Sequence, residues 1–391
     1  MKLKEIAKVQ GGFAFKSDSF VSNETPIIRI GNIVNNEIVI DYDITAPIST
    51  IGDRKEFLVS KNDLLIAMSG ATVGKVGIYN FDITSMLNQR VGNIKSDERY
   101  KKYIFYLLQS PQFKKYVELG SIGCAQPNIS NSQIENFEFK ENSIDEIEKI
   151  VKQLDNVNSL INIRKNEIEK CNNLIKSQFV EMFGDPIVNQ MKWDIVKLKD
   201  ITTKIISGNT PKGGEQVYVN SGIEFYRSQN VWKNRIEKKD IAYIDIDTHK
   251  KMKNSSLKHN DLLITKTGRI NTENSSLGRT ALYIGEDDKA NINGHVYLVR
   301  LKEEEIPEYI LRILISDSYR EYIRSVCVGG IDKRQLNKEH IEEFPIIYPS
   351  KELQNKFAEF VKQIDKQKFE FEKQLKKLEE LQASLMQEYF G

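Results

Sequence analysis

Apolar residues recur in alternating steps of three and four along two stretches of the chain, 143–182 and 350–390, and neither stretch holds a glycine or a proline. In the first, the pattern picks out Ile147, Ile150, Leu154, Val157, Ile161, Arg164, Ile168, Cys171, Ile175, Gln178 and Met182. In the second it picks out Leu353, Phe357, Phe360, Ile364, Gln367, Phe371, Gln374, Leu378, Leu381, Leu385 and Glu388. Such spacing keeps returning to one face of an α-helix, so each stretch predicts a long helix with a coiled-coil stripe. Ser143 with Glu146 forms a capping box at the first start, and Ser350 behind Pro349 is the N-cap of the second. Phe183-Gly184 and Phe390-Gly391 close them with a packing phenylalanine and a residue that tolerates the left-handed cap. About forty residues of helix span ~60 Å. Two matched stripes in one chain satisfy each other by packing antiparallel. That pairing would place the two preceding segments at opposite ends of a rod, related by an approximate two-fold axis.

Those segments, 1–142 and 193–349, carry short β-rich runs broken by Gly, Asn, Asp and Pro, and then a helical stretch near Lys101–Glu118 or Pro307–Ser325. They are also copies of one another. Lys2–Ile6 returns as Lys197–Ile201, Arg29–Ile33 as Arg227–Val231, and Asn62–Ile66 unchanged as Asn260–Ile264. Thr72–Tyr79 answers Ser276–Tyr283, Tyr103–Ser110 answers Tyr309–Ser316, and Ile134–Phe137 answers Ile341–Phe344. The matches stay in order along the chain, which chance does not produce. The fold expected is therefore α+β: a mixed domain (1–142), a central helix (143–184), a linker (185–192), a second mixed domain (193–349) and a C-terminal helix (350–391).

Hydrophobic residues at 40% and aromatics at 9% suffice for packed cores and exclude wholesale disorder. A net charge of +2 permits nucleic acid as a partner without arguing for it, because phosphate binding depends on local clusters. Cys124, Cys171 and Cys327 are odd in number and far apart, which speaks against a disulfide framework or zinc site. The N-terminus lacks the long apolar segment of a signal peptide, and no apolar run is long enough for a bilayer. The expected location is the cytoplasm.

Catalytic signatures fail one by one. Gly70–Val76 has three residues between its glycines where a phosphate loop needs about four, and Val76 stands where Ser or Thr would bind magnesium. No Gly-rich strand–helix turn for a dinucleotide or S-adenosylmethionine is present. The motif with which amino-methyltransferases grip a flipped base is also missing; Asp185-Pro186 in the linker comes nearest. His249, His259, His295 and His340 lack partners at metal-ligand spacing, and read as surface or satisfied histidines. No metal site and no catalytic residue is expected.

Two mixed domains alternate with two long helices. Each domain opens on Lys-Leu-Lys-acid-Ile and carries an Asn-Asp-Leu-Leu-Ile strand before a Ser/Thr-x-Gly turn, and each helix ends in Phe-Gly. Over its whole length this layout resembles the specificity subunit of Type I restriction–modification enzymes. The resemblance implies that each mixed domain is a target recognition domain for one half of a gapped double-stranded DNA site, with the helices as a ruler. It implies two adenine methyltransferase subunits and restriction/translocase subunits as partners, no membrane, and no cofactor in this chain. S-adenosylmethionine, ATP and Mg2+ would belong to the partners. The specificity subunit of a Type IIB enzyme and a coiled-coil protein-interaction scaffold are the alternative readings.

Base edges are read by Arg, Asn, Gln and Lys. Near the repeated turns these are Arg29, Asn32, Lys75, Gln89, Arg90, Gln126 and Asn128 in the first domain. In the second they are Arg227, Gln229, Asn230, Lys266, Arg269, Arg279, Lys333, Arg334 and Gln335. These loops are expected to form two basic concave faces. The insertion Ile270–Ser275, absent from the first domain, predicts that the halves read different sequences. Asn88-Gln89 and Asn293-Gly294 are expected to make turns at strand ends.

Overall fold

The computed structural model describes residues 1–16, 20–120, 127–270, 272, 274–330 and 333–391. It separates into two compact units, Met1–Asn166 with Phe371–Gly391, and Glu167–Glu370. Both cuts fall inside the long helices, Ile144–Phe183 and Lys351–Phe390. Each unit thus holds one mixed domain, the first part of the helix that follows it and the last part of the other helix.

In the first unit the main sheet runs in the order Ala7–Gly11, Val91–Ser96, Leu64–Ala67, Val76–Ile78, Glu37–Ile38, Ile33–Val34. A second sheet orders Thr45–Ala46, Thr25–Ile28, Ser85–Leu87 and Leu58–Val59. In the second unit the corresponding sheets order Thr202–Ser207, Val296–Leu301, Leu262–Thr265, Thr280–Leu282, and Ala242–Ile244, Ile223–Tyr226, Ala290–Ile292. The registers coincide as well. Leu64 pairs with Ile94 and Ile78, as Leu262 pairs with Val299 and Leu282. A parallel pairing recurs at the same place in both units, Ile28 with Leu87 and Tyr226 with Ile292.

The repeated Asn-Asp-Leu-Leu-Ile phrase has a structural cause. Asn62 and Asn260 both turn at φ 69°, a left-handed conformation that asparagine accepts. The following aspartates cap the turn, Asp63 accepting from the Ser60 amide at 2.9 Å and Asp261 from the Lys258 amide at 2.7 Å. Each also pairs with a base on the neighbouring strand, Lys95 at 2.7 Å or Arg300 at 2.7 Å. The strands that follow are buried along their whole length, so they read as unbroken apolar runs.

The long helices begin as expected: the Ser143 hydroxyl accepts from the Glu146 amide at 3.3 Å and the Ser350 hydroxyl from the Leu353 amide at 3.4 Å. Their segments run antiparallel within each unit. In the first unit Tyr389 meets Gln153, Gln382 meets Asn158, and Glu379 lies 3.9 Å from Lys165. In the second, Lys368 donates to Asn172 at 2.8 Å, while Phe179 and Phe183 pack on Phe357. Ile147, Ile150, Leu154, Val157, Ile161 and Ile175 are buried and Ile168 is half-buried.

The second helix corrects the expected seam. Phe357, Ile364, Phe371, Leu378 and Leu385 face inward, but the alternating series is Val361, Lys368, Leu375, Gln382 and Tyr389. The expected Leu381 is 46% exposed, whereas Phe360, half-buried like Ile364, packs against the core beside the fully buried Val361. A step of four after Phe357 fits the stripe as well as a step of three, and apolar residues occupy both choices. The contacts with Asn158 and Gln153 select the former. Gly184, at φ 76°, ends the central helix, and its amide donates to the Val180 carbonyl at 2.9 Å.

Candidate nucleic-acid interface

The recognition loops are hung on the two repeated frames. In the first domain the Asn32 amide oxygen accepts from the Arg29 backbone at 2.8 Å and its nitrogen donates to the Val39 carbonyl at 2.7 Å. Asn230 repeats this with Arg227 at 3.0 Å and Glu237 at 3.1 Å. Both asparagines are buried, and their polar atoms are spent on holding a hairpin. Asn32 and Asn230, expected among the base-reading side chains, are scaffold. Arg227 is also withdrawn: its guanidinium reaches Asp240 at 3.1 Å and Glu215 at 3.7 Å, with only 14% of the side chain exposed. Arg29 lies 3.6 Å from Asp41. These sites were attractive in sequence because they repeat, and they repeat because they build the turn.

In the second domain a cleft of about 520 Å³ brings together Gln229, Arg269, Arg279 and Lys333, with Trp232 and Asn274 on its walls. Arg269 and Lys333 are exposed and form no hydrogen bond or ion pair among the described residues. A small sheet joins the two loops, pairing Gly268 with Arg334 and Thr267 with Gln335. Beside it the Lys266 ammonium lies 5.6 Å from the Tyr297 ring centre. Arg334 donates to the Cys327 carbonyl at 3.4 Å and Gln335 to Asn337 at 3.0 Å. Gln229 donates to Asp240 at 3.0 Å.

Arg279 has a different surrounding from the one expected. Its guanidinium lies 3.8 Å over the Trp232 ring and donates to the carbonyls of Ser275, at 2.9 Å, and Asn274. Burial, with the guanidiniums of Arg320 and Arg235 nearby, pulls Arg279 below the ordinary arginine value. An anion entering this cluster would relieve that repulsion, as a phosphate does.

The first domain separates its expected residues. Gln89, Arg90 and Asn128 line one cleft of about 890 Å³ with Ser69 and Ser130. Lys75 lines another, of about 1040 Å³, with Asn35, Asn36 and Lys114. Gln126 lies outside the described residues, as does Cys124. Asn88 and Asn293 make equivalent turns, accepting from the Arg90 amide at 3.3 Å and the His295 amide at 3.0 Å. Trp232, Thr272 and Asn274 were not among the expected residues. A tryptophan where the first domain has Val34, and separately the insertion at 270–275, are the signals the sequence offers.

Among the described residues no three His, Cys, Asp or Glu side chains stand close enough to hold a metal ion. His249 is a core residue, its Nδ1 3.2 Å from the buried Asn291 amide nitrogen. Cys171 and Cys327 are buried, and burial pushes both thiols up. No described helix is long and apolar enough to cross a membrane.

The family model for the Type I restriction modification DNA specificity domain matches residues 1–172 and 190–382. The MjaVIII specificity subunit of Methanocaldococcus jannaschii is 28% identical over 176 residues, 44% of this chain and 41% of that protein, so this match spans less than half of either. The MjaIX subunit of the same organism is 23% identical across 98% of this chain and 90% of its own length. The EcoBI subunit of Escherichia coli is 21% identical across 93% and 78%. Among solved structures, the S subunit of the Type I restriction–modification system from M. genitalium aligns with a TM-score of 0.59 at 15% identity, covering 100% of this chain and 95% of that one. A chain from a structure on complex assembly of the type I system aligns at 0.53 and 15% identity, covering 100% and 96%. Carrying the specificity domain twice, the chain belongs to the family of Type I restriction–modification specificity subunits.

Proposed function

We propose that the chain reads a two-part, gapped DNA site, one part per mixed domain, and performs no chemistry itself. The domains are 1–142 and 193–349; the helices 143–184 and 350–391, joined to the second domain through 185–192, set the gap between the two parts. Adenine methyltransferase subunits dock on it, and restriction/translocase subunits join them in the cytoplasm. S-adenosylmethionine, ATP and Mg2+ are bound by those partners.

The observation that carries this reading is a duplicated frame holding unlike clefts. Sheets of the same order and register support Gln89, Arg90 and Asn128 in one domain, and Gln229, Arg269 and Lys333 in the other. A scaffold that bound one kind of partner at both domains would have no need of different loops. Arg90, Arg269 and Lys333 are exposed cations suited to phosphates and guanine edges.

The test is fluorescence anisotropy of labelled duplex DNA with the full chain and its methyltransferase partner. Log affinity should fall linearly with log salt, by a slope near −0.9 for each phosphate neutralised. Absence of salt-dependent binding would favour a protein-interaction scaffold instead.

A further inference from the structure

Residues 270–275 are an insertion relative to the first domain, and its described members Ile270, Thr272, Asn274 and Ser275 are held in place. Ile270 packs against the core of the second unit. Three carbonyls of the segment are then held by arginines: Ser275 and Asn274 by Arg279, and Thr272 by Arg320 at 3.3 Å. The Ser275 hydroxyl accepts from the Leu277 amide at 3.1 Å, and the Ser276 hydroxyl donates to the Thr267 carbonyl at 2.7 Å. Arg279 is itself held in place. Its backbone amide donates to Thr265 Oγ1 at 2.8 Å, and its guanidinium carbon lies 3.8 Å over the centre of the Trp232 ring, whose indole donates to the Gln229 carbonyl at 2.9 Å. Arg235 flanks the same indole, 5.3 Å from the ring centre.

The first domain lacks all of this together. Val34 stands in place of Trp232, Lys75 in place of Arg279, and no insertion follows Gly70. Lys75 is exposed and makes no side-chain hydrogen bond or ion pair among the described residues. The space beside it stays open as the cleft of about 1040 Å³. The second domain thus has both mount and insertion, and the first has neither.

We infer that Thr272, Asn274 and Ser275 of the insertion form a specificity-determining wall of the second domain's cleft, and that Arg279 and Trp232 are positioning residues that hold it. This rests on the proposed DNA-reading function. The exposed Thr272 and Asn274 belong to the reading surface, while Arg279 acts through the backbone it clamps. A planar guanidinium can donate to two carbonyls while stacked on an indole; a lysine ammonium in its place keeps the charge but not that fork.

The experiment assembles the full chain with its methyltransferase partner and selects from duplex libraries randomised in one half-site at a time. Arg279→Lys and Trp232→Ala should lower base preference in the second domain's half-site about ten- to hundredfold, leaving the other half-site unchanged. Trp232→Phe should retain it, and Thr272→Ala with Asn274→Ala should change it. Native discrimination by Arg279→Lys would overturn the inference, since a mere phosphate contact survives that change. Equal loss in both half-sites would overturn it too. If Trp232→Ala fails to assemble, the Arg279→Lys and Thr272/Asn274 variants decide. A wild-type complex that selects no two-part site would sink the DNA-reading function, and this inference with it; a wild-type site with unaltered variants would sink the inference alone.

Discussion

Replacing Phe183 with alanine removes an aromatic ring from the point where the end of the central helix closes the second domain. The side chain is fully buried, with the rings of Tyr309, Phe179 and Phe357 at 4.9, 5.2 and 5.5 Å. Truncating a core phenylalanine costs about 3–5 kcal/mol, and three aromatic partners place this one at the upper end. Phe390 is its counterpart in the first unit, packed on Tyr103 at 5.4 Å and Tyr389 at 6.5 Å. It has fewer rings around it, so the lower end of that range applies. Hydrogen exchange resolves the two by location. In Phe183→Ala, amides of Leu262–Thr265 and Val296–Leu301 should exchange faster by roughly a thousandfold, the equivalent of about 4 kcal/mol. Leu64–Ala67 and Val91–Ser96 should keep wild-type rates, and Phe390→Ala should reverse the pattern with a smaller effect. Equal acceleration in both sets of strands, or a change under about tenfold, would refute the assignment of each helix end to its domain.

Arg269→Ala should cost about 1–3 kcal/mol of binding at one half-site only, measured with duplexes altered in either half; equal loss at both would contradict the separate reading of the two clefts. Arg300→Met strands the carboxylate of Asp261, which is 1% exposed, and should lower unfolding stability by about 3–5 kcal/mol in urea titration. Lys95→Met, at the equivalent and half-exposed pair with Asp63, should cost less than about 1 kcal/mol. The Lys176 ammonium, with Lys233 beside it, holds Asp317 below the ordinary carboxylate range. That pairing therefore contributes above the ordinary range and is lost as pH falls through it. Because both partners are well exposed, wild type should exceed Asp317→Asn by only a few tenths of a kcal/mol at neutral pH. The gap in urea midpoints should close in acid; a gap that widened in acid would contradict the pairing.

The duplicated frame was legible in sequence because its repeated phrases are structural. Asn62 and Asn260 take the same left-handed turn, and Asp63 and Asp261 cap it. The same repetition misled the choice of DNA-contacting residues. Asn32, Asn230 and Arg227 look like base readers by type and position, yet their polar groups are consumed by hairpin carbonyls and acidic neighbours distant in sequence. Arg279 lines the second domain's cleft, but its contact with Trp232, which comes from another strand, has no sign in the sequence. The central helix revealed its seam although apolar Leu160, Ile163 and Leu174 stand beside it: the stripe through Ile147–Ile161 and Ile175 is buried, and those three are exposed. In the C-terminal helix Phe360 and Val361 compete, as does Leu381 with the polar Gln382, and packing against the central helix settles the phase. Trp232, at a strand end, and the insertion differ between the copies, so the repeated pattern does not point to them.

The central claim is that one chain holds two DNA readers and lends them to a methyltransferase. Expressing the chain with that partner in cells lacking other adenine methylation, and mapping modified adenines across the genome, tests it directly. A motif in two defined parts separated by unspecified bases is the predicted result. An uninterrupted motif, or methylation without sequence preference, would contradict it.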